Sequence, residues 1–233
     1  MEFEYRYTDN CIFKEVCPRK RRLGCDEHCT IQPEFYYLLN TSNIPKEYMK
    51  SVRLYPDSID EKVFYVLKDI LEDVEVFVEE GRTLYLWSKY VGNAKTSFAC
   101  KILKSYLASI CIGNKFRDRG FFEYIPSFIL LAKEFKNKER ELHIDALLHR
   151  DLVILDDIGS IKNTEYDITV LLDIINTRYS NGLATIYTSN VSPNELFKNN
   201  LRITDRICSD IVLELKGKGR RVSTNIYKRK GII

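Results

Sequence analysis

The sequence predicts an α/β protein with a parallel sheet covered by helices on both faces. From residue 82 onward, short apolar runs alternate with amphipathic stretches of helical length. Those runs are apolar at nearly every position, as strands buried on both faces must be. Hydrophobic residues make up 45% and charged residues 30% of the 233-residue chain, enough to bury a full core.

The elements follow in order. Residues 1–40 are rich in cysteine, basic residues and aromatics and read as a small separate module. Residues 41–81 form a linker and a helix, with Val63, Val66, Leu67, Ile70 and Leu71 at helical spacing and Gly81 at its end. Residues 82–233 form the main domain. "TLYLW" (83–87) reads as a strand and residues 95–113 as a helix ending near Gly113. "FFEYI" (121–125) is a strand, and residues 126–138 are a helix with Pro126 at its start. "DLVILDD" (151–157) is a strand, 166–182 a helix and "LATIYTSN" (183–190) a strand.

Composition excludes some classes. No apolar run approaches the ~18 residues of a membrane span. The N-terminus "MEFEYRYTDN" lacks the basic-then-apolar order of a signal peptide, so a cytoplasmic location is expected. Net charge is +3, yet Lys216, Lys218, Arg220, Arg221, Lys228, Arg229 and Lys230 crowd the last 18 residues with no acid among them. A second basic knot, "PRKRR", covers 18–22. Both suit phosphate or nucleic-acid contacts, or serve as solvated surface.

The stretch "WSKYVGNAKTS" (87–97) lies between a strand and a helix, where backbone amides and the helix dipole favour phosphate. Against the pattern G-x-x-x-x-G-K-[ST], Lys89 and Ala94 replace the two glycines. Gly92 and Asn93 sit inside the loop; Val91 to Ser97 form the candidate phosphate cradle. Lys95 is of a length to reach β- and γ-phosphates, and the Thr96 hydroxyl suits Mg²⁺. About 60 residues on, "LVILDDIGS" ends an apolar strand in two acids. Asp156 is placed to hold Mg²⁺ and Asp157 to orient or deprotonate water. "TIYTSN" ends in Asn190, suited to orient water against a γ-phosphate, or to cap a turn. Arg202 and Arg206 stand one helical turn apart. Arg206 can act on a neighbouring subunit's phosphate or pair with Asp205 or Asp210.

This order of motifs resembles the DnaC/DnaI-type AAA+ loaders of replicative helicases, and among them the phage-encoded branch. The stretches "LYLWSKYVGNAKTS", "GNKFRDRGFFEYIPSFILLAK", "LVILDDIGS", "LLDIINTRYSNGLATIYTSN" and "RITDRI" carry the likeness, over roughly residues 42–222. The resemblance implies an ASCE-type P-loop sheet binding ATP and Mg²⁺ at a subunit edge of a homo-oligomer. By position, Lys95 and Thr96 match the Walker A residues, Asp156 and Asp157 the Walker B pair, Asn190 the sensor and Arg206 the arginine finger. A sensor-II arginine is expected at Arg221 or its neighbour Arg220. Segment 126–140 matches the helical insertion that touches single-stranded DNA. Ala94 and Asp157 depart from the family pattern and point to slow turnover.

Cys11, Cys17, Cys25 and Cys29 are spaced C-x5-C-x7-C-x3-C, with His28 beside the last. Four thiolates suit tetrahedral Zn²⁺, and so short a segment gains its fold from a metal; free cysteines in a loose arm are the alternative. Similar loaders carry an N-terminal zinc module that contacts the helicase. The expectation is thus an ATP-dependent loader acting with a DnaB-type helicase and single-stranded DNA, with no membrane partner. Two alternatives stay open: a transposition-type AAA+ regulator, and a non-hydrolysing helicase adaptor with a degenerate P-loop.

Overall fold

A computed structural model describes residues 11–13, 15–17, 29–49, 58–113, 115–134, 137–161, 164–198 and 200–217. Its centre is a five-stranded parallel sheet. The strands are β1 (Thr83–Trp87), β2 (Gly120–Tyr124), β3 (Leu152–Asp156), β4 (Ala184–Ser189) and β5 (Ile211–Glu214). Their order is β2-β3-β4-β1-β5, so β4 separates the strand entering the lysine loop from the strand ending in two acids.

Both faces of the sheet are buried, which is why the strands read as unbroken apolar runs. Leu84, Leu86, Leu152, Ile154, Ala184 and Ile186 face one hydrophobic cluster. Tyr85, Val153, Leu155 and Tyr187 face the other, at the two-residue period of a pleated strand. The first face is covered by α1 (Ile31–Thr41), α3 (Glu61–Glu72), α4 (Val74–Glu79) and α5 (Lys95–Ile112), with the short α2 (Lys46–Met49) beside α5. The second is covered by α6 (Ile125–Ala132), α7 (Lys138–His149), α8 (Glu165–Ser180) and α9 (Leu201–Ile207). No helix among the described residues is long and apolar enough to cross a membrane.

Several elements differ from the sequence expectation. The helix expected over 126–138 ends at Ala132, and a second begins at Lys138. Asn137 makes that break: its side chain accepts from the amides of Glu139 and Arg140 at 2.8 and 3.3 Å, capping α7. The long helix before Gly81 is two helices, broken at Asp73, whose φ of −112° and ψ of 38° are not helical. Strand β5 and helix α1 were not foreseen. Strand β5 is a four-residue edge strand, paired among the described residues with β1, and α1 spans the end of the N-terminal 40 residues. Phe35 of α1 packs edge-on to Phe13 at 5.2 Å, and both belong to the cluster that covers β1 and β4.

Two features lock the end of the sheet far from the loops. Gly81 has φ of +63°, and a Cβ there would lie 2.1 Å from the Gly182 carbonyl oxygen, so the turns into β1 and β4 meet backbone to backbone. Arg178 of α8 is fully buried. Its guanidinium donates to Leu147 O, Arg150 O and Ala184 O at 2.8, 2.9 and 2.6 Å and to Thr185 Oγ1 at 2.9 Å. Burial pulls its pKa down to about 10, so it stays charged at neutral pH. Arg178→Met strands these acceptors, and thermal denaturation should show a loss of about 3 kcal/mol or more. An unchanged Tm would remove Arg178 from the framework of the fold.

Candidate functional site

Parallel strands deliver their C-terminal ends to one edge, and here three of those ends converge. The loop after β1 turns through Gly92 (φ 78°) and Ala94 (φ 74°, ψ 17°) into α5, whose first residue is Lys95. Consecutive amides in left-handed turns of this kind point to one side and suit an anion. Ala94 takes the backbone shape a glycine would, despite its Cβ.

The lysine and the acids meet in one hydrogen-bonded group. Lys95 Nζ donates to Asn190 Oδ1 at 2.8 Å, Asn93 Oδ1 at 3.3 Å and Tyr90 O at 3.4 Å. The Asn190 amide donates to Asp157 Oδ1 at 3.1 Å. Asp156 Oδ1 accepts from the hydroxyls of Thr96 at 2.8 Å and Thr188 at 2.6 Å. The Thr188 hydroxyl also accepts from the Asp157 amide at 3.0 Å, holding Asp157 at a left-handed φ of 58°. Gly159 follows closely, since a Cβ there would meet the Ser189 hydroxyl at 2.5 Å.

Burial sets the charges. Lys95 is only 8% exposed and Asp156 7%. Burial lowers the Lys95 pKa, opposed by the charges of Asp157 and Asp156. Burial raises the Asp156 pKa, opposed by the hydroxyls of Thr188 and Thr96 and by Lys95, with Asp157 adding to the rise. A buried carboxylate beside a hydroxyl is a set of hard oxygen donors, so Thr96 and Asp156 fit Mg²⁺.

Other expected residues stand elsewhere. Val91 is at the exposed loop tip, 73% accessible. Ser97 is in the first turn of α5, half-buried. Arg206, on α9, donates to Arg202 O at 2.8 Å and lies 5.7 Å over the Tyr179 ring. Asp210 is engaged by Arg82 at 2.8 and 2.9 Å, which removes it as the partner of Arg206. Arg220, Arg221, Cys25, His28 and the basic stretches 18–22 and 218–233 lie outside the described residues. Of the four expected zinc ligands, Cys11, Cys17 and Cys29 are described, and no group of three or more metal-ligating side chains occurs among the described residues. Cys17 instead joins the hydrophobic cluster, and Cys11 packs against it. The expected zinc centre includes Cys25, which lies outside the described residues; among those described, the N-terminal turn packs around Phe13.

Thr188, given no role from sequence, belongs to the site, and Asn93, expected only as part of the phosphate cradle, also braces it. Thr188, two residues before Asn190, bridges both acids. Asn93 is 1% exposed and hydrogen-bonded on both sides of its amide. A polar side chain at an otherwise apolar strand end was a signal for Thr188. Nothing local marks the contact of Asn93.

No family model matches the chain, and no curated protein matches its sequence. Solved structures do match its fold. A crystal structure of the DnaC helicase loader aligns with a TM-score of 0.59 and 21% identity, over 74% of this chain and all of that one. A crystal structure of DnaI aligns with a TM-score of 0.57 and 22% identity, over 77% and 95%. The replication initiator DnaA bound to AMPPCP and single-stranded DNA aligns with a TM-score of 0.53 and 20% identity, over 69% of this chain and 48% of that one. The chain thus shares its fold with these DnaC, DnaI and DnaA structures.

The Asp156 pKa is raised in the fold, so its contribution to stability is present at low pH and lost as pH rises through the folded value. At neutral pH its charge destabilises the protein. Asp156→Asn keeps an acceptor for both threonines and should raise Tm at pH 7 by roughly 2–4 °C. That gain should shrink in thermal scans toward pH 4; a Tm that falls at pH 7 contradicts this account of the carboxylate.

Proposed function

We propose that this protein is an ATP-dependent loader that delivers a DnaB-type replicative helicase onto single-stranded DNA. The observation that carries the reading is the convergence of Lys95, Thr96, Asp156, Asp157 and Asn190 on one edge of the sheet. Lys95 and the amides of the left-handed loop bind and orient the β- and γ-phosphates. Thr96 and Asp156 hold Mg²⁺, which when bound polarises phosphate oxygens. Asp157, held in place by Asn190 and Thr188, orients the attacking water and accepts its proton. The strained Ala94 and the aspartate at 157 fit slow turnover, in which nucleotide acts as a switch of assembly.

Oligomer formation supplies the remaining charge. Arg206 is hydrogen-bonded only to its own helix among the described residues, so its guanidinium can turn to the phosphate of a neighbouring copy. In register with Asp156 stands Tyr124, 42% exposed, and α6 exposes Leu130 at 68%. This side of the insertion suits stacked bases of single-stranded DNA, in keeping with Lys138 and Arg140 nearby. The N-terminal segment, including the four cysteines, is the proposed helicase contact, and the bacterial cytoplasm the proposed location, in a phage-infected host if phage-encoded. Arg221 is the proposed sensor-II residue.

Titration with a fluorescent ATP analogue tests the site. Lys95→Ala should weaken binding by about 100-fold or more, as for loss of a charged contact in a partly buried site. Retained binding and retained helicase delivery together would refute the nucleotide switch. Turnover is tested by mixing subunits. Arg206→Ala alone should hydrolyse ATP at least ~100-fold more slowly. Added Asp157→Asn protein, itself inactive, should restore part of that rate, because each supplies what the other lacks. No recovery would place Arg206 outside the site of its neighbour. Binding without any turnover, alone or with helicase and DNA, would favour the adaptor reading.

A further inference from the structure

We propose that Asn93 is a positioning residue that enforces the shape of the lysine loop from outside, in place of the glycine the loop lacks; this rests on the nucleotide-binding reading above. Ala94 has φ of 74° and ψ of 17°. A side chain in that region is disfavoured, because its Cβ crowds the following carbonyl oxygen. Such backbone persists only where the surroundings over-determine it. On the C-terminal side, α5 begins at once, with the Phe98 amide donating to Ala94 O at 2.9 Å. On the N-terminal side the constraint is Asn93. Its Nδ2 donates to Leu215 O at 3.2 Å, and its Oδ1 accepts from Lys95 Nζ at 3.3 Å.

Leu215 is a firm anchor. Its amide donates to Trp87 O at 2.9 Å, at the end of the strand that feeds the loop. The next two amides, of Lys216 and Gly217, donate to Asp60 Oδ1 and Oδ2 at 2.7 and 2.9 Å, and Asp60 is 2% exposed. The chain from Trp87 through the loop to Asn93 is therefore closed into a ring by Leu215. That closure fixes the loop apex against β1 and leaves Ala94 no route out of its left-handed turn. A glycine at 94 takes the same turn freely and makes the closure dispensable.

The test is a double-mutant cycle on the full chain, read by titration with a fluorescent ATP analogue, with thermal denaturation to show that each variant folds. Asn93→Ala should bind about tenfold more weakly, through loss of a buried hydrogen bond and of the loop's shape. Measured in the Ala94→Gly background instead, the same Asn93 substitution should cost less than about twofold. The double variant should recover most of the loss. Asn93→Ser, too short to reach Leu215, should repeat this pattern should Asn93→Ala not fold. Wild-type binding by the single Asn93 variant, or losses that simply add, would overturn the inference. Failure of the wild type to bind any nucleotide would overturn the functional reading instead. In that event the nucleotide-free melting curves decide. Ala94→Gly should raise Tm more with Asn93 present than with alanine there, because only the closed ring holds Ala94 in strain. Equal increments would overturn the inference.

Discussion

Strand β4 lies between β1 and β3, hydrogen-bonded in parallel to both, and the geometry of the site depends on that placement. Trp87 stands beside Ser189 and Leu155 beside Tyr187, so the three strands reach the same edge within a residue or so. The chain leaving β4 therefore passes between the lysine loop and the acids. Asn190 becomes the physical link between Lys95 and Asp157, and Thr188 holds the acid pair from the same strand end. Placing the acid strand directly beside β1 would leave no room for this bridge.

The local elements were legible because their signals are local. Strands β1, β3 and β4 carry mostly apolar runs and helix α5 an amphipathic one, bounded by Gly113, Asp157 and Asn190, and their limits are legible to within a residue or two. The lysine, the acid pair and Asn190 were legible for the same reason: strand ends in a parallel sheet must carry what the loops present. Strand β5 was not, because "IVLE" is a short edge strand whose pairing is decided by β1, over 120 residues away. Helix α1 was not legible for the same reason: the packing of Phe35 on Phe13 that holds it is a tertiary contact. The break between α6 and α7 was readable, since Asn137 followed by Glu139 and Glu141 is a helix start.

Ala94 shows how a missing signature residue differs from a missing shape. A sequence pattern records glycine because glycine reaches left-handed backbone without strain. The backbone at 94 reaches it regardless. Its strain sits in the same loop as a buried lysine and beside a buried carboxylate, whose charged forms burial disfavours. The site is thus the least relaxed part of a fold whose remaining core is ordinary close packing, the pattern expected where binding chemistry competes with stability.

Arg178 gives the sheet a mechanical polarity. It ties the starts of β3 and β4 to the end of α7, and the Gly81–Gly182 contact ties the turns into β1 and β4. The opposite ends of the same strands finish in loops joined mainly through side chains, those of Lys95, Asn190, Thr188 and Asn93. A rearrangement at the lysine loop therefore works against side-chain contacts at the rim, while the base is held backbone to backbone. Displacement would grow along each strand toward the loops, and amide exchange would follow the same gradient, slowest near Ala184 and fastest past Ser189.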